Sequence, residues 1–226
     1  ANVIAFALGG NVNSFVKLMN TRAKELGLKN TNFVTPSGLD ASEHYTTAYD
    51  LAMLTSFALK NEKFAKVVSS KSAALNSEKA VLNYGNPPYR RTLTNHNKLL
   101  NSYDKAIGVK TGYTKKSGRC LVSAARDNNK TVIAVTLNNP DDWNDHKNLL
   151  EYGLNSIKTK IIEPKQCEYN IPVIGSDNET LNIKITPFEV NVNDDENLSC
   201  VVNLPQFVYA PVNKGEQVGS VVYKKG

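Results

Sequence analysis

The apolar residues in the first thirty positions recur at helical spacing. Residues 1–10 show this pattern from their very start, with no capping residue ahead of them. A second amphipathic helix is predicted from Ser14 to Leu26, with Asn13 or Ser14 as its cap and Gly27 as its stop signal. The sequence therefore predicts two helices in succession.

Loops and one further helix are predicted between residues 30 and 98. Residues 30–42 are rich in Asn, Thr, Pro, Ser and Gly, which favours an ordered loop. Thr47, with Asp50 three positions later, is typical of a helix start. Residues 71–98 have weak periodicity and include consecutive prolines, which indicates a ribbon or a long loop.

The periodicity changes to that of strands after residue 106. Short β-rich runs lie at 107–114, 120–125 and 131–137, and a turn at 127–130 joins the last two. This spacing predicts an antiparallel meander. Residues 139–142 then predict a helix start, because Pro lies in the first turn and two acids lie at the positive end of the helix dipole.

The first domain is predicted to end with this helix, whose buried face comprises Trp143, Leu149, Leu150 and Leu154. Further strand-like runs lie at 167–174, 180–186, 188–192, 198–203 and 216–222. We place the boundary at about 157–162, with one domain at 1–158 and a β-sandwich-like domain at 159–226. The predicted fold is α/β (α+β): an antiparallel sheet packed by helices, followed by a small all-β domain.

The composition is that of a globular protein and excludes disorder and collagen-like repeats. Hydrophobic residues make up 41% and charged residues 21% of the sequence, with a net charge of +6. The basic excess lies before residue 157, and such a surface attracts nucleic acid, anionic lipid or acidic wall polymer alike. The basic residues form no motif with stacking aromatics, so we expect no nucleic-acid partner.

The three cysteines do not have the spacing of metal ligands, so we expect neither a metal site nor a cofactor. Cys167 and Cys200 both lie in the second domain and their pairing stays open, which would leave Cys120 as a free thiol. The sequence also has no apolar run of the roughly 18–20 residues that span a bilayer.

The candidate chemistry lies at Lys110, Thr111 and Gly112, on a predicted strand. The other basic residues of this window are Lys105, Lys115, Lys116 and Arg119. An ammonium group supplies charge, a threonine hydroxyl donates a hydrogen bond, and glycine lets a ligand approach the backbone. The tripeptide alone is weak evidence for such a site, because it more often marks a surface strand that enters a turn.

Longer segments, in order along nearly the whole chain, resemble one known family. They lie at 15–20, 23–33, 38–40, 44–52, 97–100, 108–114, 118–122, 210–212 and 214–215. On these segments the chain is similar to the serine-type D-alanyl-D-alanine carboxypeptidases, the low-molecular-mass penicillin-binding proteins. The resemblance implies a penicillin-binding-protein/β-lactamase-like transpeptidase domain, here partial, ahead of the small β domain.

The resemblance also implies a mechanism and a set of site residues. A serine in an S-x-x-K motif attacks the carbonyl between two terminal D-alanines, and an S-x-N motif relays protons. Lys110 is then a catalytic residue that supplies positive charge, while Thr111 binds the terminal carboxylate. The backbone N–H of Tyr113 forms half of the oxyanion hole. Gly112 belongs to the same substrate-binding strand. Position alone, in the segment that leads to this strand, makes His96 a candidate to line the cleft.

The first two residues match the end of S-x-N, which assigns Asn2 to the catalytic group and places the motif serine just before Ala1. We therefore expect an N-terminally truncated chain that lacks the S-x-x-K nucleophile and is inactive alone. Residues 14–17 and 102–105 fit S-x-x-K, and residues 176–178 spell S-D-N. We assign the first two to a helix surface and a polar loop, and the third to a turn.

Two functions are compatible with these features. The first is removal of the terminal D-alanine from peptidoglycan stem peptides by serine acylation and deacylation. β-Lactams would then bind the same site, at the outer face of the bacterial cytoplasmic membrane or in a secreted protein. A membrane surface would be reached only through an anchor absent from this chain. The alternative is a non-catalytic cell-wall binding or interaction module.

Overall fold

The computed structural model describes residues 1–77, 89–162, 168–193 and 198–225. Packing divides the chain into two units, Ala1–Leu154 and Asn155–Gly226. Each unit is described by itself below. The assignment of 1–158 and 159–226 to separate domains stays a prediction.

Four helices precede the first strand. They are α1 (Asn2–Gly9), α2 (Val12–Glu25), α3 (Ala48–Ala58) and α4 (Glu62–Ser69). Helix α1 is apolar on most sides and buries only Ala5, whereas Val3 and Leu8 are exposed. The two helices predicted at the start of the chain are therefore present.

The sequence predicted the cap of α3 correctly but not the cap of α2. Thr47 caps α3 as predicted, because its hydroxyl accepts a hydrogen bond from the Asp50 N–H at 3.1 Å. The cap of α2 is Asn11, which accepts from the Ser14 N–H at 2.8 Å. The predicted caps Asn13 and Ser14 are wrong, since the extended backbone of Asn11 already begins the helix two residues earlier. The short helix α4 was not predicted.

The segment predicted as a ribbon or loop contains a strand pair. Strand β1 (Ser72–Ser77) pairs antiparallel with β2 (Tyr89–Thr94), which agrees with a ribbon. The Gly85–Pro88 turn signal lies outside the described residues. A single helical turn, α5 (Leu99–Ser102), then leads into the main sheet.

The main sheet of the first unit is the predicted antiparallel meander. Its strands are β3 (Ala106–Thr114), β4 (Gly118–Asp127) and β5 (Lys130–Thr136), in the order β3-β4-β5. Helix α6 (Asp142–Ser156) packs against this sheet, and the buried cluster between them consists of Leu99, Tyr103, Leu121, Ala125, Ala134, Leu150 and Leu154. The prediction of an antiparallel sheet packed by helices is thus confirmed.

The buried face of α6 differs from the predicted one at a single residue. Leu150 is fully buried and Leu154 is 4% exposed, whereas Leu149 is 46% exposed. Neighbouring helical residues point about 100° apart, so Leu149 cannot share the face that Leu150 presents to the sheet. The prediction for Leu149 is wrong. Trp143 is half-buried and packs at the margin of the cluster.

Every regular element that begins in the described part of the second unit is a strand. The strands are β6 (Ile157–Ile162), β7 (Glu168–Ile174), β8 (Thr180–Lys184), β9 (Phe188–Asn193), β10 (Leu198–Asn203), β11 (Val208–Tyr209) and β12 (Ser220–Lys225). Three small sheets have the orders β6-β9, β11-β7-β8 and β10-β12. Strand β6 was not predicted and occupies the residues assigned to the boundary.

Two remaining sequence expectations concern cysteines and membrane spans. Cys120 and Cys200 are free thiols, and Cys167 lies outside the described residues. Among the helices of the described ranges, none has the length and apolar character that crossing a membrane requires.

Candidate active site

The candidate strand β3 lies at an edge of the main sheet. It pairs with β4 on one side, and its other side has no partner among the described strands. The register places Thr111 opposite Leu121 and Tyr113 opposite Arg119. Because Leu121 is fully buried in the core cluster, it fixes the height and orientation of β3 beside it. The core therefore positions an edge strand on which Lys110 and Tyr113 are exposed.

A cavity of about 490 Å³ lies along this strand. Five residues named from the sequence line it: His96, Lys110, Thr111, Gly112 and Tyr113. Four others complete the lining: Arg119, Cys120, Asp142 and Trp143. The structure therefore brings together every predicted site residue except Asn2, which begins α1 and is not among these lining residues.

The predicted residues of β3 are accessible to a ligand. Tyr113 is 71% exposed, and Lys110 and Gly112 are also exposed, whereas Thr111 is half-buried. The ammonium group of Lys110 donates a hydrogen bond to the backbone carbonyl of Thr111. This contact holds the charge close to the strand, where Thr111 also lines the cavity. The strand thus offers one cation and one hydroxyl to an anionic ligand.

The cavity wall also contains an ion pair that the sequence did not predict, formed by Arg119 and Asp142. The guanidinium of Arg119 donates to both carboxylate oxygens of Asp142, from Nε at 3.2 Å and from Nη2 at 2.5 Å. The hydrogen bond to Asp142 is the main cause that raises the pKa of Arg119 above its usual value. The Arg119 side chain is 40% exposed, whereas that of Asp142 is 4% exposed. The carboxylate therefore lies behind the guanidinium.

Local structure explains why this pair forms. Asp142 lies in the first turn of α6, where the helix dipole favours a carboxylate. The Asn139 N–H donates to the Arg119 carbonyl at 2.9 Å, which holds the start of α6 against β4. Gly118, at φ +66°, lets β4 begin beside Asn138: a Cβ there would lie 2.0 Å from the Asn138 Oδ1. The pair is thus fixed by backbone contacts on both sides.

A buried histidine supports the sheet under the same helix. His146 is fully buried on α6, and its Nδ1 and Nε2 lie 2.5 Å from the Ser123 Oγ and 2.8 Å from the Thr136 Oγ1. Burial lowers the pKa of His146 to about 4, although the carboxylates of Asp142 and Asp145 act in the opposite direction. The imidazole does not line the cavity, so its role is structural.

The loop predicted at 30–42 contacts the turn that follows β3. One carboxylate oxygen of Asp40 accepts hydrogen bonds from the Thr114 hydroxyl at 3.0 Å and from the Ser117 hydroxyl at 2.9 Å. The loop itself is held by His44, whose Nδ1 accepts from the Val34 N–H at 3.0 Å. The end of the candidate strand is therefore tied to a distant part of the same unit.

The three sequence matches set aside as non-catalytic have ordinary structural roles. Ser14 lies in the first turn of α2, where its N–H is capped. Lys105 forms an ion pair with Asp127 at 2.6 Å. The S-D-N match lies in the turn between β7 and β8, where the Asn178 N–H donates to the Ser176 hydroxyl at 3.2 Å, which confirms the predicted turn.

Comparison with known proteins shows that this chain is similar to members of one protein family. Residues 1–141 match the family model described as D-alanyl-D-alanine carboxypeptidase. The D-alanyl-D-alanine carboxypeptidase DacF of Bacillus subtilis is 30% identical over 96% of this chain and 56% of its own length. The chain thus spans little more than half of that relative.

Solved structures agree with this likeness. Penicillin-binding protein 5 of Haemophilus influenzae is similar with a TM-score of 0.64 and 26% identity, over 99% of this chain and 64% of that chain. The DD-transpeptidase of Streptomyces K15 is similar with a TM-score of 0.58 and 36% identity, over 63% of this chain and 55% of that chain. The likeness to the first of these structures extends over both units.

Proposed function

The chain belongs to the D-alanyl-D-alanine carboxypeptidase family, and from this premise we propose that its cavity binds the end of a peptide that terminates in D-alanyl-D-alanine. The observation that carries the proposal is the placement of Lys110 and Thr111 together on an exposed edge strand that lines a cavity of about 490 Å³. A carboxylate is the ligand group that an ammonium and a hydroxyl bind jointly. The substrate class is therefore a wall stem peptide.

Each predicted site residue has a role in this proposal. Thr111 donates a hydrogen bond to the terminal carboxylate, and Lys110 supplies positive charge. Gly112 has no side chain and lines the cavity, so the peptide backbone can approach the strand closely there. The Tyr113 N–H stabilises the oxyanion that forms when the scissile carbonyl is attacked. His96 lines the cleft beside the substrate.

The proposed reaction proceeds in two steps. A serine hydroxyl attacks the carbonyl carbon between the two D-alanines, its proton passes to the departing amine, and free D-alanine leaves. Water then hydrolyses the ester that links the serine to the peptide. Asn2, as the last residue of an S-x-N motif, is proposed to orient the substrate during the first step. A β-lactam would acylate the same serine.

The described residues that line the cavity do not include a serine. We therefore propose that these 226 residues contribute the carboxylate-binding half of the site and give no turnover by themselves. The same observation favours a second candidate function, a non-catalytic module that binds wall peptides. Both candidates act where the wall polymer is, at the outer face of the cytoplasmic membrane or beyond it.

Binding and acylation test these proposals separately. Calorimetry with diacetyl-L-lysyl-D-alanyl-D-alanine should show binding, and the L-alanyl-L-alanine isomer should bind more weakly. Thr111→Val should weaken binding roughly tenfold through the lost charge-assisted hydrogen bond, and Thr111→Ser should retain it. Unchanged affinity in Thr111→Val would contradict the assigned role. A covalent adduct of fluorescent penicillin on this chain would contradict the absence of a nucleophile.

A further inference from the structure

The hairpin formed by β3 and β4 carries only basic charge. Between Ala106 and Arg126 the sequence contains five basic residues and no acidic one. Two of these cations, Lys115 and Lys116, lie at the tip of the hairpin, in the turn that joins the two strands. Both residues are exposed, and neither takes part in an ion pair within the described part of the chain. The tip therefore presents two ammonium groups to an incoming ligand.

Contacts within the first unit hold this turn in place. The Ser117 N–H donates to the Thr114 hydroxyl at 2.9 Å. The hydroxyls of Thr114 and Ser117 both donate to one carboxylate oxygen of Asp40, at 3.0 and 2.9 Å. Asp40 thus brings one negative charge to the turn, where two lysines carry positive charge. The carboxylate anchors the turn and reduces its positive charge without cancelling it.

The proposed roles of the β3 residues set the direction in which a bound peptide runs. Thr111 binds the terminal carboxylate, and the Tyr113 N–H lies at the scissile carbonyl, so the end of the peptide points towards Thr111. An extended peptide advances about 3.3 Å per residue. The residue third from its end therefore lies beyond Tyr113, beside Thr114 and the turn. Lys115 and Lys116 can reach it, because lysine has a flexible four-carbon stem.

We infer that Lys115 and Lys116 are specificity-determining residues that favour a peptide with an acidic side chain at the third position from its C-terminal end. The inference rests on the proposed function for the class of ligand and for the direction of the bound peptide. An ammonium and a carboxylate at an exposed site attract each other weakly, so two such pairs should change the affinity by about threefold to tenfold.

Two peptides of nearly the same shape test this preference: N-acetyl-L-glutamyl-D-alanyl-D-alanine and its L-glutaminyl analogue. They differ by one negative charge at the third residue from the end. Trp143 is the one tryptophan in the sequence and lines the cavity, so its emission reports binding without turnover. At low ionic strength the wild type should bind the glutamyl peptide about threefold to tenfold more tightly. High ionic strength should abolish the preference, because salt screens exposed charges.

Variants of the turn separate its charge from its shape. Lys115→Gln/Lys116→Gln should bind both peptides with the affinity that the wild type shows for the glutaminyl peptide. Lys115→Arg/Lys116→Arg keeps the charge and should keep the preference. Lys115→Glu/Lys116→Glu should reverse the preference, so that the glutaminyl peptide binds more tightly.

The matched control is Lys17→Gln/Lys24→Gln, which removes the same net charge at a different place. Both lysines are exposed on α2, and neither lines the cavity. This variant should keep the wild-type preference, since the inference concerns charge at the turn rather than the net charge of the chain.

The outcomes separate this inference from the proposed function. Equal affinity of the wild type for the two peptides would overturn the inference while the proposed function stands. A preference that survives in Lys115→Gln/Lys116→Gln, or one that is lost equally in the α2 control, would overturn it as well. If the wild type bound neither peptide, the inference and the proposed function would fail together.

Discussion

Protonation of the buried histidine should control how the stability of the first unit depends on pH. The folded pKa of His146 is about 4, and an unfolded histidine titrates near 6.5. As the pH falls below about 6.5, the unfolded chain binds a proton that the folded chain does not bind until about pH 4. Stability is therefore present above the unfolded pKa and is lost as the pH falls between these two values.

The expected magnitude follows from the two pKa values. The free energy of unfolding should fall by about 2 kcal/mol between pH 7 and pH 5, and by about 3 kcal/mol once the folded pKa is passed. Urea unfolding, followed by circular dichroism at half-unit pH steps, measures this directly. Carboxylates also titrate at acidic pH. Comparing the wild type with a variant that lacks His146 therefore separates the contribution of this histidine to the pH dependence from theirs.

The informative variant is His146→Gln, which keeps a hydrogen-bonding side chain but does not titrate. This variant should be less stable than the wild type at pH 7, since an amide cannot match both hydrogen bonds of the ring. Between pH 7 and pH 5, its free energy of unfolding should fall by about 2 kcal/mol less than that of the wild type. His96→Gln removes an exposed histidine and should retain the wild-type dependence. Identical pH dependence in wild type and His146→Gln would refute this reasoning.

Three further predictions concern the core, a helix cap and the start of β4. Leu150→Ala should lower the free energy of unfolding by about 2–5 kcal/mol, as measured by urea unfolding, because Leu150 is fully buried. Thr47→Ala should cost about 1 kcal/mol in the same assay, since the Asp50 N–H loses its cap; Thr47→Ser should restore most of it. Gly118→Ala should lower the melting temperature, because the residue has φ +66° and its new Cβ would overlap Asn138. A wild-type melting temperature in this variant would contradict the close approach.

The main sheet was predictable because its signals are local. Short β-rich runs identify β3 to β5, and the turn at 127–130 accounts for the antiparallel pairing of β4 with β5. The location of the site followed from the same strands. Helix α4 was missed because its eight residues give fewer than three turns of pattern.

The Arg119–Asp142 ion pair in the cavity wall depends on a contact that no local pattern contains. Arg119 and Asp142 are 23 positions apart, and in the sequence Arg119 is one of several basic residues that solvate a surface. The sequence shows only that Arg119 lies on a predicted strand and that Asp142 lies at a predicted helix start.

The hydrogen bonds of Asp40 have a consequence for the order of folding. They join Asp40 to Thr114 and Ser117, at sequence separations of 74 and 77 positions, so they close a loop that contains about half of the first unit. Closure of a loop of this length is entropically costly, and contacts of high sequence separation form slowly. The meander of β3 to β5, whose strands are neighbours in sequence, can form before this link. Asp40→Ala, which removes this link, should therefore leave unchanged the rate at which the β4 amides paired with β5 become protected in pulse-labelling hydrogen exchange.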